Sequence, residues 1–417
     1  MVICQKRQMI RTLCFFLVPF FSFSQKISVL PNQAIPIQPQ RISSESYLSV
    51  NPVDPEHLLG CYLSAKISDQ GYDYYTEVIL SKDGGETWEE LEMDILQEAA
   101  DPWCQINDDG SLLISDISSG SQFHLTTRFS LDGDTWMPVN SHGYARDHSI
   151  LYNTADKKTL LVSTQKENSI NSIIVNQSED NGRKFSQLSK TSPFPNVAIN
   201  AKTPVELSSG LLILPFIVRY RSNDNGDEVP ISPTQSWFIS SQDGGKTFSQ
   251  PYFITGISGN RHHYLAVNTN RRFKDELYYF FSGANDKGAF ITKSRDAGIT
   301  WSEPMQLDVS QSSRITPGAF RVSKKGEIGL IWSEKTNDRC FQWMFSFSRD
   351  GGVSFTTPIS IQDTLSCPNQ SNDWVSRAWP QGGDYCGLVA TPDGFAALWS
   401  DARTGKFKPY FTKISIK

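Results

Sequence analysis

The sequence lacks long apolar runs. Among its 417 residues, only residues 13–23 form a mainly apolar stretch. This is shorter than the roughly 20 apolar residues that a membrane-spanning helix needs, so no membrane insertion is expected. The stretch follows Lys6, Arg7 and a third basic residue and ends in small residues, an order typical of a secretory signal peptide. We therefore expect cleavage of residues 1–24 and a mature protein, residues 25–417, that is secreted or periplasmic.

The sequence also has little positive charge. It contains 39 Lys and Arg against 44 Asp and Glu, a net charge of −5. Removing the three basic residues of the predicted signal peptide leaves 36 against 44, or −8. Such a balance does not suit the phosphates of nucleic acid or an anionic membrane surface. Nucleic acid is therefore not expected as a partner.

Cysteine is scarce as well. Two of the seven cysteines lie in the predicted signal peptide, and the five that remain lack the regular spacing of a disulfide framework. We expect them to behave as small buried apolar residues. The one pair to test for a bridge is Cys367 with Cys386. The mature cysteines are Cys61, Cys104, Cys340, Cys367 and Cys386.

What the sequence has in abundance is one short motif, Ser-x-Asp-x-Gly-x-Thr followed by Trp or Phe. In this motif the Ser and Asp side chains bond to the turn backbone, Gly takes a positive φ, and the aromatic residue returns to the core. We therefore assign the motif to structure and not to catalysis. Three full copies and three looser ones contain, in chain order, Asp83, Asp132, Asp180, Asp243, Asp296 and Asp350.

The spacing of the motif indicates a β-propeller. Consecutive motif aspartates are 49, 48, 63, 53 and 54 residues apart, the length of a four-stranded blade. Two strand-like runs precede each motif, and a seventh pair of runs near the C-terminus has none. No useful helical periodicity occurs. The prediction is an all-β, seven-bladed propeller of four-stranded antiparallel blades, with six blades as the alternative, forming one domain over residues 25–417.

The last blade needs a strand from elsewhere, because an incomplete blade would leave an unpaired edge. Residues 27–30 are strand-like and lie at the start of the mature chain. We expect them to pair beside the C-terminal strand around Phe411 and so close the ring.

These motifs resemble the Asp-box, or BNR, repeats of the sialidase superfamily, and the resemblance covers nearly all of the mature chain. It implies the propeller fold, but the superfamily includes sialidases, other glycoside hydrolases and propellers that bind without catalysis. Sialidases have an early Arg-Ile-Pro or Arg-Leu-Pro within a three-arginine carboxylate clamp, a Tyr–Glu pair and an Asp acid. This chain has Arg41, Ile42 and Ser43 at the early site, without the Pro, and no match to the Tyr–Glu pair.

In a propeller the first strand of each blade lines the central channel, so the starts of these strands converge at one mouth, opposite the Asp boxes. Aligning the repeats places Glu45, Asp101, Asp147, Thr203, His262, Thr316 and Asp384 in equivalent positions. The predicted catalytic residues at this mouth are His148, His263, Tyr385, Asp147 and Asp101. The predicted substrate-binding residues are Arg146, Arg261, Arg219, Arg314, Lys202, His262 and Tyr264.

A mouth rich in Arg, His and Tyr suits an anionic substrate that undergoes proton transfer. It is similar in residue types to propeller enzymes acting on acidic polysaccharides, including ulvan lyases, which implies β-elimination at a uronic acid by a lyase or a dehydratase. Arginines would neutralise the carboxylate, His148 or His263 would remove the C5 proton, and Tyr385 or Tyr264 would protonate the leaving oxygen.

Two other functions stay open at this point. A sialidase-like exo-glycoside hydrolase could use two of the carboxylates of Asp101, Asp147 and Asp384, and a propeller could bind glycans without catalysis.

Adjacent histidines on a strand point to opposite faces, so neither a metal nor another cofactor is expected. The expected partner is an anionic oligo- or polysaccharide, and the protein is expected to be monomeric.

Overall fold

A computed structural model describes most of residues 27–417. The described residues are 27–38, 40–68, 71–93, 99–118, 123–145, 147–167, 170–194, 196–222, 228–258, 262–307, 314–336, 339–369 and 374–417. The predicted signal peptide lies outside them. Within these ranges no helix is long and apolar enough to cross a membrane. The helices described are one α-helix, Trp374–Ala378, and two 3-10 turns, Arg271–Phe273 and Ala284–Asp286.

The strands form seven antiparallel sheets, and each sheet is one blade of a propeller ring. Two N-terminal strands precede the first complete blade: β1 (Ile27–Val29) and β2 (Gln33–Ala34). Blade 1 consists of β3 (Arg41–Val50), β4 (Leu58–Ser68), β5 (Gly71–Ser81) and β6 (Glu89–Leu91). Blade 2 consists of β7 (Ala99–Ile106), β8 (Leu112–Ser118), β9 (His124–Ser130) and β10 (Asn140–Tyr144). Blade 3 consists of β11 (Ile150–Asn153), β12 (Thr159–Glu167), β13 (Ile170–Ser178) and β14 (Ser186–Thr191).

The remaining blades follow the same up-and-down order. Blade 4 consists of β15 (Val197–Ala201), β16 (Val205–Glu206), β17 (Leu212–Ser222), β18 (Glu228–Ser241) and β19 (Tyr252–Ser258). Blade 5 consists of β20 (Tyr264–Asn268), β21 (Glu276–Ser282), β22 (Ala289–Ser294) and β23 (Met305–Gln306). Blade 6 consists of β24 (Ile315–Val322), β25 (Ile328–Lys335), β26 (Phe341–Ser348) and β27 (Ile359–Ser360). Blade 7 consists of β28 (Gly387–Thr391), β29 (Gly394–Asp401) and β30 (Lys408–Ile416), with β1 and β2.

The N-terminal strands close the ring. β1 pairs antiparallel with β30, with Val29 opposite Ile414. β2 pairs with the same strand farther along, with Gln33 opposite Phe411. The prediction of seven blades and of an N-terminal strand completing the seventh is thus confirmed. The pairing supplies the hydrogen-bond partners that the outer edge of β30 would otherwise lack.

Apolar side chains between neighbouring sheets form the core. The second strands of blades 1 to 4 each contribute a fully buried leucine to one continuous cluster. Burying a leucine side chain contributes about 1.5–3 kcal/mol, so repetition from blade to blade stabilises the ring. These leucines, each 0% exposed, are Leu59, Leu113, Leu161 and Leu214.

Each Asp box is a hydrogen-bonded turn between the third and fourth strands of its blade. In blade 1, the Ser81 hydroxyl donates to Asp83 Oδ1 at 2.8 Å and accepts from the backbone N–H of Gly85 at 2.7 Å. Thr87 donates to the same carboxylate through its backbone N–H, at 2.9 Å, and its hydroxyl, at 2.6 Å. The shorter copy in blade 2 keeps the Ser130–Asp132 contact, at 3.2 Å. The structural assignment of the boxes agrees with these contacts.

The box glycines also bring adjacent blades together. Gly85 has a φ of +92°, and a Cβ there would lie 2.2 Å from the ring of Phe411 in blade 7. Gly182 in blade 3 has a φ of +95°, and a Cβ there would lie 2.5 Å from Leu113 in blade 2. Glycine is required at these positions both for the backbone conformation and for the close contact. The boxes therefore fix the packing between blades as well as a turn within one.

The disulfide in the structure is not the Cys367–Cys386 pair that the sequence analysis named as the candidate. Cys340 bonds to Cys367, with the Cα atoms 4.3 Å apart, so the Cys367–Cys386 pairing is wrong. Backbone hydrogen bonds between Phe341 and Ser366 bring Cys340 and Cys367 side by side. Cys386 is instead buried in the core at the start of blade 7, and its burial raises the pKa of the thiol.

Loss of a box carboxylate should cost stability and leave the opposite face unchanged. We expect Asp83→Ala to lower the free energy of unfolding by about 0.5–2 kcal/mol, as for the loss of a capping hydrogen bond. Urea unfolding measures this, with the exposed neighbour Lys82 changed to Ala as the control. An Asp83→Ala protein as stable as the control would contradict the role of the box.

The lowered pKa of the Asp83 carboxylate predicts that the protein loses stability in acid. Hydrogen bonds from the Thr87 side chain and backbone lower the pKa of Asp83 to about 2, whereas an unfolded Asp titrates near about 3.9. The group therefore stabilises the folded state above about pH 4, and this contribution is lost as the pH falls toward about 2. Urea unfolding should show that the free energy of unfolding declines less over this pH range in Asp83→Asn than in the wild type. The variant should be less stable than the wild type at neutral pH and about as stable near pH 2.

Candidate functional site

A small pocket lies where the starts of the first strands converge. The first strands of neighbouring blades contact one another, including β3 with β7 and β28 with β3. The cavity there has a volume of about 20 Å³, room for little more than one water molecule. We call it the mouth pocket. Its lining comes from blades 2, 3, 4, 5 and 7 and consists of Trp103, His148, Lys202, Thr203, His262, His263, Tyr264 and Tyr385.

Two bulges shape the strands beside this pocket. The register of blade 1 shifts between Ser44 and Tyr47, and that of blade 2 shifts between Ala100 and Trp103. Within the bulges, Glu45 and Asp101 both have a φ of 51°. Residues other than glycine rarely adopt this conformation, which costs of order 1–3 kcal/mol and is typical of functional sites. Because bulges redirect side chains, the backbone itself places these two carboxylates.

His148 is held in one orientation by its neighbours. Its Nδ1 lies 3.0 Å from Oδ1 of Asp147, whose other carboxylate oxygen accepts a hydrogen bond from the Asn200 side-chain amide. The imidazole stacks on Trp103, with the ring centroids 5.9 Å apart and the planes 7° from parallel. A proton on Nδ1 bonded to the carboxylate leaves Nε2 as the basic nitrogen. The arrangement suits a general base.

Tyr385 lies next to this histidine and is held as a proton donor. The two ring centroids are 5.8 Å apart, and the Tyr385 hydroxyl donates to the backbone carbonyl of Pro102 at 3.1 Å. Burial raises the pKa of Tyr385 well above its ordinary value, and the nearby carboxylates of Glu45 and Asp101 raise it further. These surroundings therefore favour the neutral phenol over the phenolate.

The mouth pocket is also lined by a second histidine and a lysine. His262 Nε2 lies 3.2 Å from Oδ1 of Asp384, and the histidine is 6% exposed. Lys202 is 7% exposed and is anchored by its backbone N–H, which donates to the Pro215 carbonyl at 2.8 Å. The mouth pocket thus combines cationic, proton-donating and proton-accepting groups in a site largely screened from water. Among the described residues, no cluster of His, Cys, Asp or Glu is arranged to hold a metal ion.

The repeats and the ring match a known family. The sequence profile of the BNR repeat-like domain matches residues 141–397, more than half of the chain. The chain belongs to the BNR repeat-like family. This confirms the resemblance seen in the Asp boxes.

Solved structures with the same propeller are distant in sequence. A protein of unknown function from Dyadobacter fermentans superposes on this BNR propeller with a TM-score of 0.52 and 11% identity, over 94% of this chain and 99% of that one. A polysaccharide lyase, an ulvan lyase, superposes with a TM-score of 0.51 and 11% identity, over 90% and 93%. At such identities the likeness establishes the fold alone. No curated protein matches the sequence.

The BNR propeller brings together many of the residues predicted for the site. Asp147 bonds to His148, and the charge of Asp101 acts on Tyr385. Arg146 and Arg261 lie outside the described residues. The predicted residues that line the mouth pocket are His148, His263, Tyr385, Lys202, His262 and Tyr264.

Two predicted arginines lie elsewhere on the described surface. The Arg219 guanidinium stacks over Tyr220, 5.1 Å from the ring centroid. Arg314 forms an ion pair with Asp286 at 3.0 Å, and its side chain is 72% exposed. Neither lines the mouth pocket. For Arg219 the physical reason is that the second strand of a blade lies one strand farther from the channel than the first.

His263 lines the mouth pocket but bonds away from it. Its Nδ1 lies 2.8 Å from the Ser236 hydroxyl and 3.0 Å from that of Tyr279, and the residue is 1% exposed. These contacts belong to the interior between blades 4 and 5. They favour His148 over His263 as the base.

Sequence reasoning did not select Glu45 or Trp103 for the site. Glu45 was among the aligned strand starts, but nothing in the sequence reveals the bulge that buries its side chain beside Tyr385.

Arg41, the early arginine, pairs with Glu77 and stacks on Tyr75, 4.0 Å from the ring centroid, away from the mouth pocket. The early arginine therefore does not serve there as it does in sialidases.

The contacts of His263 predict a structural role. Replacing His263 with Ala removes a buried partner of two hydroxyls and should lower the free energy of unfolding by about 1–3 kcal/mol. Urea unfolding checks this, with His124→Ala at the rim of blade 2 as the control. Unchanged stability together with lost turnover would make His263 a catalytic residue instead.

Proposed function

We propose that this BNR propeller is a carbohydrate-active enzyme that cleaves a carbon–oxygen bond beside a uronic acid by β-elimination. One observation carries the proposal: a carboxylate-held histidine, a tyrosine and a buried lysine line the same pocket. These are His148, Tyr385 and Lys202. A base, an acid and a cation are the three groups that elimination next to a carboxylate requires.

The size of the mouth pocket bears on how a substrate would bind. A cavity of about 20 Å³ does not admit a sugar ring, because ligand pockets usually measure about 300–1,000 Å³. The ring would lie over the mouth, and only a small group such as the carboxylate would enter. Inside, Lys202 would bind the carboxylate in surroundings that strengthen the attraction. Neutralising that carboxylate makes the adjacent C5–H more acidic.

The proton transfers would then follow from the positions of two side chains. Nε2 of His148 removes the C5 proton, and the electron pair of that bond forms the C4=C5 double bond as the C4–O bond breaks. Tyr385 gives its proton to the departing oxygen and is restored from solvent. Each proton transfer contributes about 10²- to 10⁴-fold to the rate.

Two further observations support this function. The ulvan lyase shares the propeller fold over 90% of this chain, which makes a polysaccharide containing uronate a reasonable substrate class. The predicted signal peptide would deliver the enzyme to the compartment where such polymers occur. If the departing group is water and not a sugar, the same steps make the protein a dehydratase of a terminal uronic acid.

Hydrolysis is the second candidate function, and the carboxylates around Tyr385 favour it. The charges of Glu45, Asp101 and Asp147 all act on the phenol. Two carboxylates on either side of a glycosidic bond are the usual apparatus of glycosidases. An exo-glycoside hydrolase would use one of them as the acid and another as the base or nucleophile.

Turnover of uronate-containing oligosaccharides, followed at 235 nm, tests the proposal, because elimination creates a conjugated double bond. We expect His148→Ala and Tyr385→Phe to lower turnover by at least about 10²-fold. The matched controls are His124→Ala and Tyr144→Phe, which alter a histidine and a tyrosine at the rim of blade 2. Both controls should keep wild-type turnover.

Other outcomes would point to other functions. New reducing ends without absorbance at 235 nm would indicate hydrolysis and direct attention to the carboxylates. Full turnover in a folded His148→Ala protein would remove this histidine as the base. Saturable binding with neither product would indicate a glycan-binding propeller.

A further inference from the structure

A connected series of side chains crosses the channel from blade 6 to the mouth pocket. Arg321 lies near the end of β24, and its Nη2 donates to the Tyr47 hydroxyl of blade 1 at 2.8 Å. The Tyr47 ring stacks on Trp103 of blade 2, with the centroids 3.8 Å apart and the planes 27° from parallel. Trp103 in turn stacks on His148. Contacts therefore run without a gap from an arginine in blade 6 to the histidine proposed as the base.

The guanidinium of Arg321 lies inside the ring, beside several first strands. Burial raises the pKa of Tyr47, Tyr264 and Cys386, and the charge of Arg321 lowers the pKa of each. These three residues belong to blades 1, 5 and 7, and Tyr264 also lines the mouth pocket. Arg321 follows Thr316, an aligned strand start, by five residues. Its side chain therefore projects into the channel from a position deeper than the mouth.

The hydrogen bond to Arg321 fixes the position of the Tyr47 ring. Offset stacked rings can slide along one another at little cost, so stacking on Trp103 does not by itself hold the ring in one place. The hydroxyl is the part of the ring farthest from the backbone, and a bond there restrains the ring most. A charged donor strengthens that bond. The guanidinium is itself held, because its Nη1 donates to the backbone carbonyl of Phe320 at 2.9 Å.

The placement of Trp103 matters because this ring sets the plane of the His148 imidazole. The contact between His148 Nδ1 and Asp147 fixes one edge of the imidazole, and the stack on Trp103 fixes its tilt. A general base has to lie within hydrogen-bond reach of the proton that it removes. A displacement of about 1 Å can lower a rate by about 10²-fold. Small movements of Trp103 should therefore alter the rate of proton removal.

We propose that Arg321 is a positioning residue for His148 and acts through the rings of Tyr47 and Trp103. The assignment rests on the function proposed above, in which His148 is the base. Arg321 does not line the mouth pocket, so its effect falls on the chemical step and not on substrate binding.

Kinetics on uronate-containing oligosaccharides test this with two variants that remove the same hydrogen bond. Tyr47→Phe deletes only the hydroxyl and keeps the ring, and Arg321→Met deletes the donor. We expect each to lower kcat about fivefold or more with KM nearly unchanged. The double variant should be no slower than either single variant, because one bond is lost in all three. Arg321→Lys, which can still donate to the hydroxyl, should recover part of the rate.

Tyr410→Phe is the matched control. Tyr410 is a buried tyrosine of blade 7 with the Arg403 guanidinium 4.1 Å from its ring centroid, and it does not line the mouth pocket. The same hydroxyl is deleted beside an arginine, but outside the series that ends at His148. This variant should keep the wild-type kcat.

NMR of protein labelled in its histidine rings reports the arrangement without any substrate. The ring current of the parallel Trp103 shifts the C–H resonances of His148, which are identified by their absence from His148→Ala. We expect Tyr47→Phe and Arg321→Met to move these resonances toward their positions in Trp103→Leu, and Tyr410→Phe to leave them in place. If the wild type has no activity on uronates, the proposed function fails, and these resonances alone decide whether Arg321 positions His148.

Two results would overturn the role of Arg321. One is that Tyr47→Phe and Arg321→Met both keep the wild-type resonances of His148. The other is that Arg321→Met raises KM while Tyr47→Phe behaves as the wild type, which would mean that the guanidinium charge acts on the substrate directly.

Discussion

Ring closure is the constraint on which the rest of this structure depends. The pairing of β1 and β2 with β30 joins the two ends of the chain in one sheet and completes the seventh blade. Only in a closed ring do the first strands of all blades face a common channel. The mouth pocket takes residues from five blades that are far apart in sequence, so a break in the ring would separate the residues that line it.

The Asp boxes stabilise the face of the ring opposite the mouth pocket. Their hydrogen bonds lie in the turns between third and fourth strands, and their glycines lock each blade to the one before it. Because this packing does not involve the starts of the first strands, those positions are free to differ between blades. The repeats are similar where they hold the ring together and different where they meet at the mouth.

Buried charge decides the character of the mouth. Burial raises the pKa of the Tyr385 phenol, and carboxylates from blades 1, 2 and 3 raise it further. Two histidines each lie against a carboxylate of their own. The bulges that place Glu45 and Asp101 carry a conformational cost. The ring supplies the stability to hold them. Such strain and crowding of charge are typical of sites that perform chemistry.

The sequence by itself determined the all-β class, the number of blades and the strand that closes the ring, because these follow from signals that are local and repeated. It also placed Asp147, His148, His262 and Tyr385 at one mouth, since equivalent positions in repeats occupy equivalent places. Only the tertiary structure decided which way each side chain bonds. His263 turns toward Ser236, Cys340 pairs with Cys367, and two bulges bring in Glu45 and Trp103. A shift of one residue in a strand reverses the face of every side chain, and such shifts depend on packing against neighbouring blades that no single repeat contains.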